Sequence, residues 1–455
     1  MNIPILARLG VLVSLLLTAC VSTAPAPEAE PRQAPPRNVI FMLGDGMSFA
    51  QVKAYRMYAD DPATELVEPL PMEAYQVGSV STDSIRLVCE GDDCVRDPHG
   101  FTDSASSATA YATGHDTIVG HLSVTGSGEP MPTILEDARK HGKSTGIVVT
   151  SQITHASPAA FGSHVVSREE TSKIADQYFE SQWHEAPMLD VLLGGGSKDL
   201  CRGDRDLVPE FRKAGYDIAL NREQLLASNG DRLLGLFAAD GLPRAWDRDE
   251  TTPSLAEMTE SALKVLNRNE DGFFLMVEGS QIDWGAHANS IVDVVSEMED
   301  FIGAVRLVLE FAREQGDTLL VITADHETGG MSLGRDEIYR WDARPLHGVT
   351  HSTQWMMQEY LGGETALSTI VAQNVPFELS EAEIKVLDAT AREESSTKGA
   401  LADLFNQRTL TGWATGGHTG LDVPIYVFGP GSENFAGVMQ NETVGQVLRE
   451  VFLPK

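Results

Sequence analysis

Asn38-Val-Ile-Phe-Met-Leu43, followed at once by Gly44-Asp45-Gly46, is the stretch that decides the fold. Its apolar run does not alternate, so a strand made from it must be covered on both faces, as in a parallel sheet. The glycines and the acid that follow stop the strand and turn the chain. Four more runs of this kind recur, at Ser144–Thr150, Phe273–Val277, Thr318–Thr323 and Val423–Phe428. Helical patterns lie between them at Pro132–Lys140, Leu255–Asn267 and Val292–Gln315. Pro132 suits a first helical turn, where a missing N–H costs nothing. The alternation predicts an α/β fold: a central, mostly parallel sheet flanked by helices on both faces, with all five runs as parallel strands.

The ends of the runs carry the chemistry. The first is followed by Asp45, the third by Glu278-Gly279 and the fourth by Ala324-Asp325-His326. Sites in open α/β sheets form along the carboxyl edge of the strands. One such carboxylate reads equally well as a solvated turn residue, but three on one edge repel each other unless cations sit among them. Asp283 and His287 are four apart, so one helical turn puts both on one face. Thr415-Gly-Gly-His418-Thr419 holds a histidine in a glycine-rich, flexible turn before the last of the five runs. Mixed His and Asp ligands suit zinc, while hydroxyl and carboxylate oxygens suit magnesium.

Thr102-Asp-Ser-Ala-Ser-Ser-Ala-Thr-Ala-Tyr-Ala-Thr-Gly114 places Ser104 at the start of a helix of small residues. Unpaired N–H groups there favour an anionic oxygen and sit well against a phosphate. Taken alone, Ser104 reads as a plain N-cap on a buried helix.

The chain has 455 residues and a formal net charge of −32, which excludes nucleic-acid or anionic-membrane binding through a basic surface. So acidic a surface repels phosphate esters, and cations bound in the site would resolve the conflict. Residues 1–20 read as a secretory signal: Arg8, the apolar stretch Leu9–Leu17, then Thr18-Ala19-Cys20. The ending resembles a bacterial lipobox, which would make Cys20 a lipidated anchor, with a plain signal peptide as the alternative. Residues 21–36 are a Pro/Ala-rich, disordered tether. Residues 37–455 are read as one catalytic domain with an insertion at about 331–411. Cys89 and Cys94 are read as a small-loop disulfide, with a zinc half-site as the alternative, and Cys201 as an inert thiol. The protein is therefore expected to be exported, as a periplasmic or cell-surface lipoprotein on a bacterial membrane.

Six blocks, in order, resemble the alkaline phosphatases: Gly44-Asp-Gly46, Thr102-Asp-Ser-Ala105, Thr154-His-Ala-Ser-Pro-Ala-Ala-Phe161, Val277-Glu-Gly279 through His287, Thr323-Ala-Asp-His326 and Gly417-His-Thr419. The resemblance implies hydrolysis of phosphate monoesters through a phosphoserine on Ser104, at a site of two Zn2+ and one Mg2+. It implies Asp283, His287 and His418 on the zinc that activates water, and Asp45, Asp325 and His326 on the zinc beside Ser104. Asp45 bridges to magnesium, whose other ligands are Ser157 and Glu278. Arg168, oriented by Asp103, grips phosphate oxygens with its guanidinium fork. His155 and Trp284 stand where some bacterial members carry an aspartate and a lysine. Neither is expected to touch the zinc ions directly, yet both bear on the identity of the third metal. The insertion corresponds to the family's crown, at or above the site entrance, and a homodimer is left open.

Alternative readings are a phosphodiesterase or phosphomutase of the same superfamily, or a surface phosphate-binding lipoprotein without turnover. His347 and His351 are read as loop residues, because Gly348 between them disfavours a helix. Gly194-Gly-Gly-Ser-Lys198 is a strand-to-loop turn without P-loop spacing. His99, His115 and His121 are ordinary loop histidines, and the apolar stripe of Ile291–Gln315 is core.

Overall fold

The computed structural model describes residues 34–61, 63–90, 93–97 and 99–453. The signal segment with Cys20 and nearly all of the tether lie outside them. Ten strands form the main sheet: β1 Asn38–Gly44, β2 Gln76–Ser81, β3 Ser144–Gln152, β4 Val191–Gly195, β5 Asp217–Ala219, β6 Leu233–Leu236, β7 Phe273–Gly279, β8 Thr318–Thr323, β9 Val423–Phe428 and β10 Gly437–Gln440. Their spatial order is β10-β2-β9-β8-β1-β7-β3-β4-β6-β5. At the centre, β1, β7 and β8 are buried along their whole lengths, as continuous apolar runs require.

One strand breaks the expected direction. β9 pairs antiparallel with β8 and with β2, while the other nine strands run one way. The cause is where the chain comes from. It leaves β8 at the carboxyl edge and stays on that side through His418, so it can re-enter the sheet only by running back.

The helices that shape the site are α1 Ser104–Thr113, α2 Ala156–Gly162, α3 Gln281–His287 and α4 Ile291–Gln315. Residues 331–411 contain α5 Thr353–Gly362, α6 Leu367–Asn374, α7 Glu381–Asp388 and α8 Glu394–Thr409. The apolar stripe of α4, from Val292 through Phe301 to Leu309, is buried against the sheet. Pro132 lies outside its helix, which spans Ile134–Lys140. Thr133 caps that helix and shares a capping box with Glu136, a stronger start than a proline. The glycine run at 194–196 ends β4 and turns through Gly196, at φ +91°, into a short helix.

A separate hairpin, Arg86–Glu90 against Asp93–Asp97, sets Cys94 opposite Cys89. Cys94 is disulfide-bonded, which takes the place of the zinc half-site. Cys201 is an exposed free thiol. No helix among the described residues is long and apolar enough to cross a membrane.

Candidate metal-dependent active site

Register brings the strand-end acids together. Leu43 of β1 sits opposite Glu278 of β7 and Thr323 of β8. Two residues further along the chains of β1 and β8, just past the strand ends, come Asp45 and Asp325, whose carboxylates meet beside His326. Between them Gly46 turns at φ +70°, and a Cβ there would lie 2.9 Å from the Asp283 backbone. Only glycine lets the β1 turn approach α3 so closely.

Three groups of side chains offer ligand atoms within 4.8 Å of one another: Asp283 with His287 and His418, Asp45 with Asp325 and His326, and Asp45 with His155 and Glu278. Asp45, Glu278, Asp325 and His326 are fully buried. Both Asp45 carboxylate oxygens, Asp325 Oδ2, Glu278 Oε1, His155 Nδ1 and the Ser157 hydroxyl are buried without a hydrogen-bond partner. Ser157, on α2, lies beside Glu278. An unpartnered buried acceptor costs about 1–3 kcal/mol, and a native site does not gather several without something to neutralise them. This donor set fits cations.

The imidazoles say the same through their tautomers. His287 Nδ1 faces the Gly416 carbonyl at 2.7 Å, and His418 Nδ1 faces the Thr102 carbonyl at 2.8 Å. A carbonyl only accepts, so in the neutral rings both protons sit on Nδ1. The two Nε2 atoms, 3.2 Å apart, then present lone pairs to each other beside the Asp283 carboxylate, 3.3 Å from His287. Two lone pairs at that distance do not bond one another; they converge on a shared cation. His418 is held in a two-residue antiparallel bridge, His418–Thr419 against Glu327–Thr328, not in a flexible turn. Buried Glu327 pins the bridge by accepting from Thr419 Oγ1 and the Gly330 N–H.

Ser104 differs from the plain cap in an informative way. The N-cap of α1 is Asp103, whose carboxylate accepts from the Ser106 N–H at 3.0 Å, leaving Ser104 as the first helical residue. Its hydroxyl is therefore not spent on capping. It lies 3.1 Å from His326 Nε2, between the Asp45/Asp325/His326 group and the helix N-terminus. Asp103 also accepts from the Gly120 N–H and the Ser106 hydroxyl, and its Oδ2 takes Arg168 Nη1 at 3.1 Å. Burial would raise Asp103, but Arg168 and these donors hold its carboxyl below the usual range. Arg168 Nη2 donates to His155 Nε2 at 3.2 Å, and His155 meets the Trp284 ring edge-on at 5.8 Å.

The electrostatics are those of a site built around positive charge. Burial, reinforced by the neighbouring acids Asp325, Asp283 and Glu278, pushes Asp45 well above the carboxylate range. Burial likewise pushes Glu278 up to about 8 and Asp325 up to about 6. It drives His326 and His418 down to about 4 and His155 down to about 3, so all three rings are neutral. Burial alone would raise Asp283; instead His287, which donates from Nε2 once protonated, and His326 and His418, which also carry charge at the acid pH where Asp283 titrates, hold it low.

All thirteen residues singled out from the sequence thus lie in one connected cluster. His155 goes further than expected: a ring nitrogen lies within ligand distance of Asp45 and Glu278, and the neutral ring's one lone pair serves either a cation there or Arg168 Nη2. Two supporting residues were missed. Thr328 Oγ1 donates to Asp283 Oδ1 at 2.6 Å and lies 3.2 Å from His326 Nδ1, and Ser280 Oγ donates to Glu278 Oε2 at 2.6 Å. Both hydroxyls sit two residues beyond a recognised acid or histidine, and that offset is the signal that could have found them. The loop histidines stay outside: His347 stacks on Tyr58 at 4.7 Å, and His351 bonds Asn374 Oδ1 at 3.0 Å.

Fold and site together define an α/β metalloenzyme with a serine at the carboxyl edge of its sheet. The family model described as alkaline phosphatase matches residues 36–453. Alkaline phosphatase 3 of Bacillus subtilis strain 168 is 42% identical over 451 residues, 98% of this chain and 95% of its own. The cold-active alkaline phosphatase of the psychrophile Shewanella sp. superposes with a TM-score of 0.83 at 36% identity, over 92% of this chain and 100% of that one. A variant of the TAB5 alkaline phosphatase, solved with Mg bound in its M3 site, gives a TM-score of 0.64 at 25% identity, over 92% of this chain and 98% of that one. The chain belongs to the alkaline phosphatase family and is a phosphomonoesterase.

Proposed function

We propose that this chain hydrolyses phosphate monoesters in two steps through a phosphoserine on Ser104, at a site holding two zinc ions and one magnesium ion. The observation that carries the reading is the uncapped Ser104 hydroxyl, 3.1 Å from His326 Nε2 at the N-terminus of α1, among three groups of convergent ligands. Asp283, His287 and His418 would hold one zinc, and Asp45, Asp325 and His326 the other. Asp45, Ser157 and Glu278 would hold magnesium, with His155 as a further potential ligand. When bound, the cations supply charge neutralisation and lower the pKa of the serine hydroxyl and of water.

The chain's own residues do the positioning, which is most of what phosphoryl transfer needs. Arg168, fixed through Nη1 by Asp103, presents its guanidinium fork to two phosphate oxygens. The first-turn N–H groups of α1 face the same oxygens. Ser104 Oγ attacks phosphorus and loses its proton, and the alcohol leaves protonated. Water then attacks the phosphoserine from the opposite side, and Ser104 regains its proton as phosphate departs. His326 and His418 stay neutral throughout, which keeps their lone pairs available.

The readings of residues 1–36 as export signal, lipid anchor at Cys20 and tether, and of 331–411 as an insertion at the site entrance, complete the proposal: an exported, membrane-anchored phosphatase of the cell periphery. The deciding assay compares an aryl phosphate monoester with an aryl diester, in the wild type and in Ser104→Ala. Monoester preference is expected, with a loss on the order of 10^4-fold or more in the variant. Diester preference, or a variant retaining activity, would refute it.

A further inference from the structure

Beside the catalytic cluster lies a cavity of ≈ 320 Å³ to which, apart from His287 and Trp284, no role has yet been given. Its floor is Trp284 and His287, both on α3, and its far wall comes from the 331–411 segment: Gln354 and Met357 on α5 and Lys398 on α8. A second cavity of ≈ 580 Å³ meets it at His287, Ala288 and Lys398, so Lys398 stands at the junction of the two. The first cavity touches the catalytic groups on two sides. His287 Nε2 is 3.2 Å from His418 Nε2. On the other side Trp284 contacts His155, the acceptor of Arg168 Nη2. A monoester whose phosphate sits on Arg168 and Ser104 would send its alcohol moiety into this space.

The lining has a definite chemistry. Trp284 offers an indole with the Arg244 guanidinium 5.7 Å from its ring, and Met357 adds a soft apolar surface. Arg244 is bound only by neutral partners, the Gln281 carbonyl and side chain and Gln354 Oε1. Lys398 is exposed and has no ion-pair or hydrogen-bond partner among the described residues. Of the two acids in the wall, Asp293 is committed to the Thr353 N–H and hydroxyl. That leaves Glu394 in the wall, and buried Glu297 behind Arg244, against two cations that no carboxylate meets at ion-pair distance. In a chain of net charge −32, such a place is unusual.

Resting on the phosphomonoesterase reading, we propose that this cavity is the leaving-group subsite. It accepts monoesters whose alcohol is a planar ring bearing an additional anionic group, the ring lying against Trp284 and the anion facing Lys398 and Arg244. Lys398 and Trp284 then set specificity, and the 331–411 segment is the wall that carries it.

The test uses the full-length, metal-loaded enzyme and three aryl phosphates of matched leaving-group pKa, with an uncharged, a carboxylated or a trimethylammonium ring. In the wild type the ratio of kcat/KM, carboxylated over uncharged, should exceed one. Lys398→Met should lower that ratio about fivefold, the upper end for a part-exposed ion pair, with the change in KM. Lys398→Glu should lower it further and raise the ratio for the trimethylammonium ring. An identical ratio in all three proteins overturns the subsite while leaving the activity intact. A wild type that turns over none of the three refutes the phosphomonoesterase reading itself, and the subsite with it.

Discussion

Removing the cations should make the stability of this protein fall as pH rises above about 6.5, while the loaded protein holds. The reason is the proton inventory of the stripped site. Glu278 titrates near 4.5 when unfolded and near 8 when buried in the fold. A group raised in this way contributes stability that is complete below its unfolded value and is lost as pH climbs through its folded one. Between pH 6.5 and 8 the folded chain keeps a proton on Glu278 that the unfolded chain has released, at about 1.4 kcal/mol per pH unit, or about 2 kcal/mol across the window. Asp45 and His287, both raised, act in the same direction. The neutral rings of His155, His326 and His418 act oppositely while the unfolded rings titrate around 6.5, but they are neutral in the loaded protein too, so their effect cancels in the gap between the two. With about 2 cal/mol/K of unfolding entropy per residue over about 420 residues, 2 kcal/mol corresponds to about 2 °C in Tm. In the loaded protein these carboxylates are already ionised as ligands, so the loss does not occur. Thermal melts of chelator-treated and of zinc- and magnesium-loaded protein, at half-unit steps from pH 6.5 to 8, measure the gap. It should widen by at least about 2 °C; a constant or narrowing gap would mean that Glu278 and Asp45 are not cation ligands.

Arg168→Lys replaces a fork with a point charge that cannot hold Asp103 and two phosphate oxygens together. kcat/KM for an aryl monoester should fall about 10- to 100-fold, from loss of one or two charge-assisted bonds, in steady-state kinetics. Thr328→Val keeps the shape but removes the 2.6 Å donor to Asp283. Metal titration should show affinity weakened about 10- to 100-fold, with the far-ultraviolet circular dichroism unchanged.

Local pattern made much of the site legible. Four of the five apolar runs became parallel strands, and Asp283 and His287 met because a helical turn brings residues four apart to one face. The strands left unread are short or polar. Gln76–Ser81 is only partly buried, and Gly437–Gln440 is mostly exposed. They are strands because β9 and each other offer partners, a property of the neighbours and not of their own side chains. Thr328 escaped for a related reason: its offset from His326 marks it only weakly, and its role appears when Asp283, 45 residues away in sequence, is folded against it.

What the amino-acid order determined by itself is the inventory: which buried strands exist, which acids and histidines end them, and that a serine opens a small-residue helix. These are short-range properties, written in hydrophobic runs and in spacings of one helical turn. The tertiary structure alone decided how that inventory works. It made Asp103 the cap and so released the Ser104 hydroxyl. It kept the chain at the carboxyl edge through His418, where Asp283 waits, and so turned β9 backwards. It set carbonyls of Gly416 and Thr102 behind two imidazoles, fixing both protons on Nδ1 and aiming both lone pairs at one point. Each is a contact between residues far apart in the chain, where direction and protonation follow from the partner that folding supplies.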